Sequence, residues 1–140
     1  MDDLSRQFLA AVFLADTARV GSLLARHPHL ATLPDGRGDQ PIHHAARNGD
    51  TEIVRLLIAH GADVNAQNTR AHTVLYCAGG HAHLETLQLL LNEGADCHVK
   101  FTKDRRTLQE WLAQYPNDSR FAPIAEALRR HNAGGKSRKP

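Results

Sequence analysis

Apolar residues recur along this chain in short helical stripes, not in the alternation of a strand. Ile53, Val54, Leu57 and Ile58 share one face of a helix, since positions four apart stack along it. Thirty-odd residues later, Leu84-Glu-Thr-Leu-Gln-Leu-Leu-Leu91 repeats the stripe. A shorter apolar segment precedes each, Ile42 to Ala46 before the first and Val74 to Ala78 before the second, so the chain reads as pairs of helices. Phe8, Leu9, Val12 and Phe13, followed by Val20, Leu23 and Leu24, predict a further pair at the N-terminal end. Leu108, Trp111, Leu112 and Tyr115 (i, i+3, i+4, i+7), then Phe121, Ile124, Ala125 and Leu128, predict another at the C-terminal end.

The punctuation agrees with those stripes. Pro41 suits a first helical turn, where its missing N–H has no intrahelical partner to lose. Gly49 and Gly61 are placed to end helices in a left-handed conformation, and Asp50 to cap the helix that follows. Thr107-Leu-Gln-Glu110 has the form of a capping box. The units are regularly spaced: Gly61 to Gly94, Ile42 to Leu75 and Glu52 to Glu85 are each 33 positions apart. Leu75 to Leu108 is again 33, which predicts that Ile42, Leu75 and Leu108 occupy equivalent core positions in successive layers.

A period near 33 with one turn and two helices per unit resembles the ankyrin-repeat family. Gln40-Pro-Ile-His43 stands where that family has Thr-Pro-Leu-His, and Gly61-Ala-Asp-Val-Asn-Ala66 matches its inter-repeat segment. The resemblance is close over residues 34–100 and weaker on both flanks. It implies an all-α solenoid of about four helix-turn-helix repeats at 1–33, 34–67, 68–100 and 101–131. Four units exceed the three or so that a stack of mutually dependent repeats needs. A disordered basic tail is expected at 132–140, which is rich in Gly and Lys/Arg.

Composition narrows the function. A chain of 140 residues, 41% hydrophobic and 23% charged, fits one globular domain. Its formal charge of +2 includes Lys136, Arg138 and Lys139 of the tail, so the remainder carries −1. Phosphate neutralisation needs clustered cations, and specific nucleic-acid binding is therefore not expected. The acidic Met1-Asp2-Asp3 start and the lack of a long apolar run lead us to expect no signal peptide or membrane span, and a cytoplasmic monomer. Cys77 and Cys97 read as free thiols.

Ten histidines raise the question of metal binding or catalysis. Only Cys77, His81 and His83 form a local cluster of ligand types, three where a closed zinc site takes four. A metal- or thiol-dependent catalyst centred on them is the alternative to a binding function. No nucleophile elbow, phosphate loop or paired carboxylates accompany them, so no cofactor is expected and the chain does not read as an enzyme. Gly79-Gly80 departs from the repeat pattern, standing opposite Ala46 and Arg47. It reads either as a reshaped binding surface or as drift without consequence.

The resemblance implies that partners bind the concave surface formed by turn tips and inner helices. Carried over position by position, the contact residues are Arg37, Asp39, Arg47, Asn48 and His60 in the second repeat. In the third they are Thr69, Arg70, His72, Gly80, His81 and Glu93, followed in the next turn by Lys100, Phe101, Thr102, Lys103 and Arg105. Phe101 reads equally as an exposed hot spot or as a residue folded back onto the fourth repeat. Arg37, Arg70, Lys103 and Arg105 would line successive tips, making another protein with an acidic surface the natural partner. The corresponding function is a protein-interaction module, of the inhibitor or immunity type that blocks a partner by covering it.

Overall fold

The computed structural model describes residues 2–101 and 105–135. Among these, eight α-helices follow in pairs: α1 (Asp3–Phe13) and α2 (Thr17–Arg26), α3 (Pro41–Asn48) and α4 (Thr51–Ala59), α5 (Val74–Gly79) and α6 (Leu84–Asn92), α7 (Leu108–Leu112) and α8 (Ala122–Gly135). A 3-10 helix, Pro28–Thr32, follows α2. Helices α1, α3, α5 and α7 form an inner row, each touching the next, and α2, α4, α6 and α8 form the outer row in the same order. No helix of the described residues is long and apolar enough to cross a membrane.

Matching positions of the outer helices build the core. Val20, Val54 and Leu87 lie at one depth in α2, α4 and α6, and Leu23, Leu57 and Leu90 one turn further on. All six are buried. Removing each leucine from water contributes about 1.5–3 kcal/mol, and the outer helices pack against one another along the row, so each unit depends on its neighbours. The inner helices supply Ile42, Ala45 and Ala46 to one layer and Leu75 and Ala78 to the next, the alanines allowing close approach.

His43 pins the closing segment of its own repeat to the start of α3 through hydrogen bonds. Its Nδ1 accepts from the Gln40 N–H at 2.9 Å, which leaves Nε2–H to donate to the Ala66 carbonyl at 3.1 Å. Burial holds its pKa below the ordinary imidazole value. The unfolded chain then takes up a proton near pH ~6.5 that the folded chain refuses, so stability is full above that pH and lost as pH falls below it. The urea midpoint is expected to drop between about pH 7.5 and 5.5, and to drop less in His43→Gln. An equal drop in both would refute this role.

Several local expectations are corrected. The tips are closed by Asp35 N–H to Asp39 O, by Asn68 N–H to His72 O, and by Phe101 N–H to Arg106 O, so the fourth tip holds one extra residue. Leu108 is accordingly the first residue of α7, where Ile42 and Leu75 are second in α3 and α5, although all three are buried. Helix α7 ends at Leu112, which leaves Tyr115 outside it and 42% exposed. Phe13 is 53% exposed, since it closes α1 beyond the last core position, Val12. Asp50 occupies the N-cap of α4 without a side-chain hydrogen bond to it, whereas Thr107 and Glu110 do form the capping box of α7. Helix α8 continues to Gly135, past the expected start of the tail at Asn132, whose amide donates to Gln109 Oε1 and whose oxygen receives the Cys97 thiol. Lys136, Arg138 and Lys139 lie outside the described residues.

Candidate functional site

The tips are shaped by one side chain each. The Asp35 carboxylate accepts the N–H groups of Arg37 (2.8 Å) and Asp39 (3.1 Å). One repeat later Asn68 Oδ1 accepts those of Arg70 (2.9 Å) and His72 (3.0 Å). A short polar side chain thus folds the backbone over itself, and the residue two along is thrown outward. Arg37 and Arg70 are exposed at matching points, and the Thr69 hydroxyl and N–H both donate to the Arg37 carbonyl, lacing the tips side by side. Among the described residues no carboxylate pairs with Arg37, Arg70 or Arg105.

Behind the tips the inner helices provide a floor. The Arg47 side chain is 28% exposed and reaches Asp39 (3.5 Å), His44 Nδ1 (3.4 Å) and Cys77 Sγ (3.5 Å). Asp39 is 3% exposed and receives the Asn68 amide at 2.7 Å. Burial would raise the Asp39 pKa, but the Asn68 hydrogen bond and Arg47 hold it below the usual carboxylate value. Asp39 is therefore a brace between helix and tip, not the contact residue expected. His44 bonds Asp35 at 2.9 Å and meets the Phe13 ring edge-on at 4.7 Å. His72 packs on Tyr76 at 4.8 Å, its pKa depressed by burial and by Arg70 and Arg47, which disfavour the charged imidazole.

The remaining expected contact residues divide. Asn48, Thr69, His81, Lys100 and Arg105 are exposed and Gly80 is half-buried. Phe101 is 4% exposed, its ring packed on Tyr76 at 4.4 Å and edge-on to His72 at 6.1 Å, so it is a packing residue turned in on the third repeat, and the hot-spot reading is corrected. His60 caps α4 and donates from Nδ1 to its own Leu56 carbonyl. Glu93 caps α6 and lines a shallow groove with Arg55, Ile58, Ala59 and Leu89, which puts it on the outer row and not with the tips. Thr102 and Lys103 lie outside the described residues.

Sequence reasoning missed Phe13, Tyr76 and Trp111 as parts of this face. Phe13 precedes Arg47 by 34 positions, the interval of the N-terminal unit, and that alignment would have put it at the same helix end.

The catalytic alternative does not assemble. Cys77 is 1% exposed, and burial pushes its thiol up to about 11. At neutral pH roughly one molecule in ten thousand would carry the thiolate. His81 Nδ1 is engaged with the Cys77 carbonyl at 3.0 Å, and His83 Nε2 donates to the Arg47 carbonyl at 3.0 Å. The three side chains serve separate partners and do not converge on one atom. Among the described residues the one set of three potential metal-ligand atoms is Asp35, Asp39 and His44, all engaged in the contacts above.

Comparison with known proteins matches this geometry. The family model described as ankyrin repeats, in three copies, matches residues 8–101. A transient receptor potential cation channel subfamily A member 1 homolog of Caenorhabditis elegans is 33% identical over 103 residues, 74% of this chain and 8% of that protein. The B-cell lymphoma 3 protein homolog of Mus musculus is 35% identical over 78 residues, 56% of this chain and 17% of its own length. Alpha-latroinsectotoxin-Lt1a of Latrodectus tredecimguttatus is 36% identical over 88 residues, 60% of this chain and 6% of the toxin. The chain spans less than a fifth of each of these relatives.

Proposed function

Because the chain belongs to the ankyrin-repeat family, we propose that it is a protein-interaction module that seats an acidic protein segment across its tips and inner helices. Ankyrin repeats generally mediate protein–protein interaction. The observation that carries the finer reading is the pair Arg37 and Arg70, exposed side by side on laced tips with no carboxylate partner among the described residues. The nearby acids, Asp35 and Asp39, are already spent on backbone N–H groups, His44, Asn68 and Arg47. Positive potential is left to face outward, where it speeds encounter and selects partners. With Cys77 protonated and its histidines engaged elsewhere, the face acts by occupying a partner's surface, in the manner of an inhibitor or immunity-type binder.

Affinity capture with the wild-type chain is expected to recover a stoichiometric protein, and Arg37→Glu/Arg70→Glu to lose it with unchanged helical circular dichroism. Both side chains are exposed, so reversal costs little stability, about 0.5 kcal/mol or less, while losing two facing charges weakens binding by about tenfold or more. Equal recovery by both forms would refute the reading.

A further inference from the structure

Exposed aromatic and aliphatic groups stand at both ends of the inner row. Phe13 and Leu14, at the end of α1, are 53% and 79% exposed. From Phe13 the contacts run through His44 and Arg47 to Cys77. Beside Cys77 on α5, half-buried Tyr76 meets Trp111 edge-on at 5.2 Å, and Trp111 meets Tyr115 at 5.0 Å. Tyr115 is itself 42% exposed. Two runs of touching side chains, Phe13 to Cys77 and Tyr76 to Tyr115, start from neighbouring positions of α5 and together make up a strip that spans all four repeats, with exposed apolar groups at its outer ends, the Arg47 guanidinium within the first run and Arg37 and Arg70 on the tips.

We propose that this strip takes an extended acidic polypeptide segment with an apolar side chain on each flank, one set against Phe13 and Leu14 and the other against Trp111 and Tyr115. This rests on the interaction reading above and adds to it the two apolar ends. Charge complementarity selects the acidic centre, because Arg37 and Arg70 have no carboxylate partner among the described residues and the acids Asp35 and Asp39 are engaged. The apolar flanks follow from the open ends, since covering an exposed aromatic is what gives a binding face its few dominant contacts. Length follows from spacing. Packed helices lie ~8–10 Å apart, so four span roughly 30 Å, or about nine extended residues at ~3.3 Å each.

The test selects a displayed library of random peptides, about a dozen residues long, on the full chain, on Phe13→Ser/Leu14→Ser and on Arg37→Glu/Arg70→Glu. Leu14→Ser alone serves if the double apolar variant loses helicity. The wild type is expected to enrich peptides with acidic centres and apolar residues toward both ends. Their affinity is expected to fall about tenfold or more in the apolar variant. Enrichment of acidic peptides without apolar flanks, or equal affinity for wild type and apolar variant, would overturn this proposal and leave the acidic-partner reading standing. Enrichment of basic or uncharged peptides, or binding indifferent to Arg37→Glu/Arg70→Glu, would overturn both. Absence of any enriched peptide would overturn the proposal.

Discussion

Gly49→Ala is expected to lower the unfolding free energy by about 2–4 kcal/mol, the sum of two costs. Gly49 closes α3 at φ +74°, a left-handed conformation that costs an L-residue about 1–2 kcal/mol. That cost alone is evidently bearable, because Ala15 (φ 56°) and Ala82 (φ 63°) adopt the same conformation after α1 and α5. What distinguishes Gly49 is the His83 ring lying over it, whose Nδ1 would be 2.5 Å from an added Cβ. The ring cannot retreat freely, since its Nε2 donates to the Arg47 carbonyl and so satisfies the C-terminal end of α3. Denaturant titration followed by far-UV circular dichroism measures the loss. Ala82→Gly in the same assay is expected to gain about 1 kcal/mol. A Gly49→Ala loss of only ~1 kcal/mol would mean that His83 yields without cost.

Gly79→Val is expected to destabilise the C-terminal repeat by about 2–3 kcal/mol. Gly79 is buried near the end of α5, and a Cβ there would lie 2.8 Å from Leu108 Cδ2, 3.2 Å from Leu87 Cδ1 and 3.4 Å from Ile124 Cγ2. Three helices, α6, α7 and α8, meet on that missing side chain. Alanine would recover about 1 kcal/mol of helix propensity against the crowding, whereas valine adds volume and a stiff χ1. Trp111, the sole tryptophan, sits in α7 and reports this region directly. Its fluorescence transition is expected at lower denaturant than the circular-dichroism transition. Coincident transitions at the wild-type midpoint would contradict the packing role.

The same glycine shows where the sequence was silent. Gly79-Gly80 left two readings open, a reshaped surface or drift, because nothing local in that dipeptide names its neighbours. Gly79 is instead a close-approach site for the last repeat, and Gly80 leaves room for the Tyr76 ring, 2.9 Å from where a Cβ would stand. The repeat itself was legible because a core ladder such as Leu57 and Leu90 recurs at fixed spacing, and a period survives the absence of any structure. The contact role of Asp39 and the hot-spot reading of Phe101 fail for the opposite reason. Their burial depends on Asn68 and Tyr76, which lie 29 and 25 positions away in sequence and are drawn close only by stacking. The extra residue in the fourth tip was hidden because Leu108 kept the 33-residue spacing while the helix start moved by one. Of the candidate contact face, Arg37 and Arg70 were readable from their places in successive tips. Phe13 shares the apolar stripe of Phe8 and Val12 yet is exposed, because a stripe does not say where a helix ends.

Hydrogen exchange of the chain alone and saturated with its captured partner tests the binding face directly. Protection is expected at the tips around Arg37 and Arg70 and at the ends of α3 and α5, around Asn48 and His81, with the outer-row groove of Arg55, Ala59 and Leu89 unchanged. Protection confined to that outer groove, with the tips exchanging as before, would contradict the assignment.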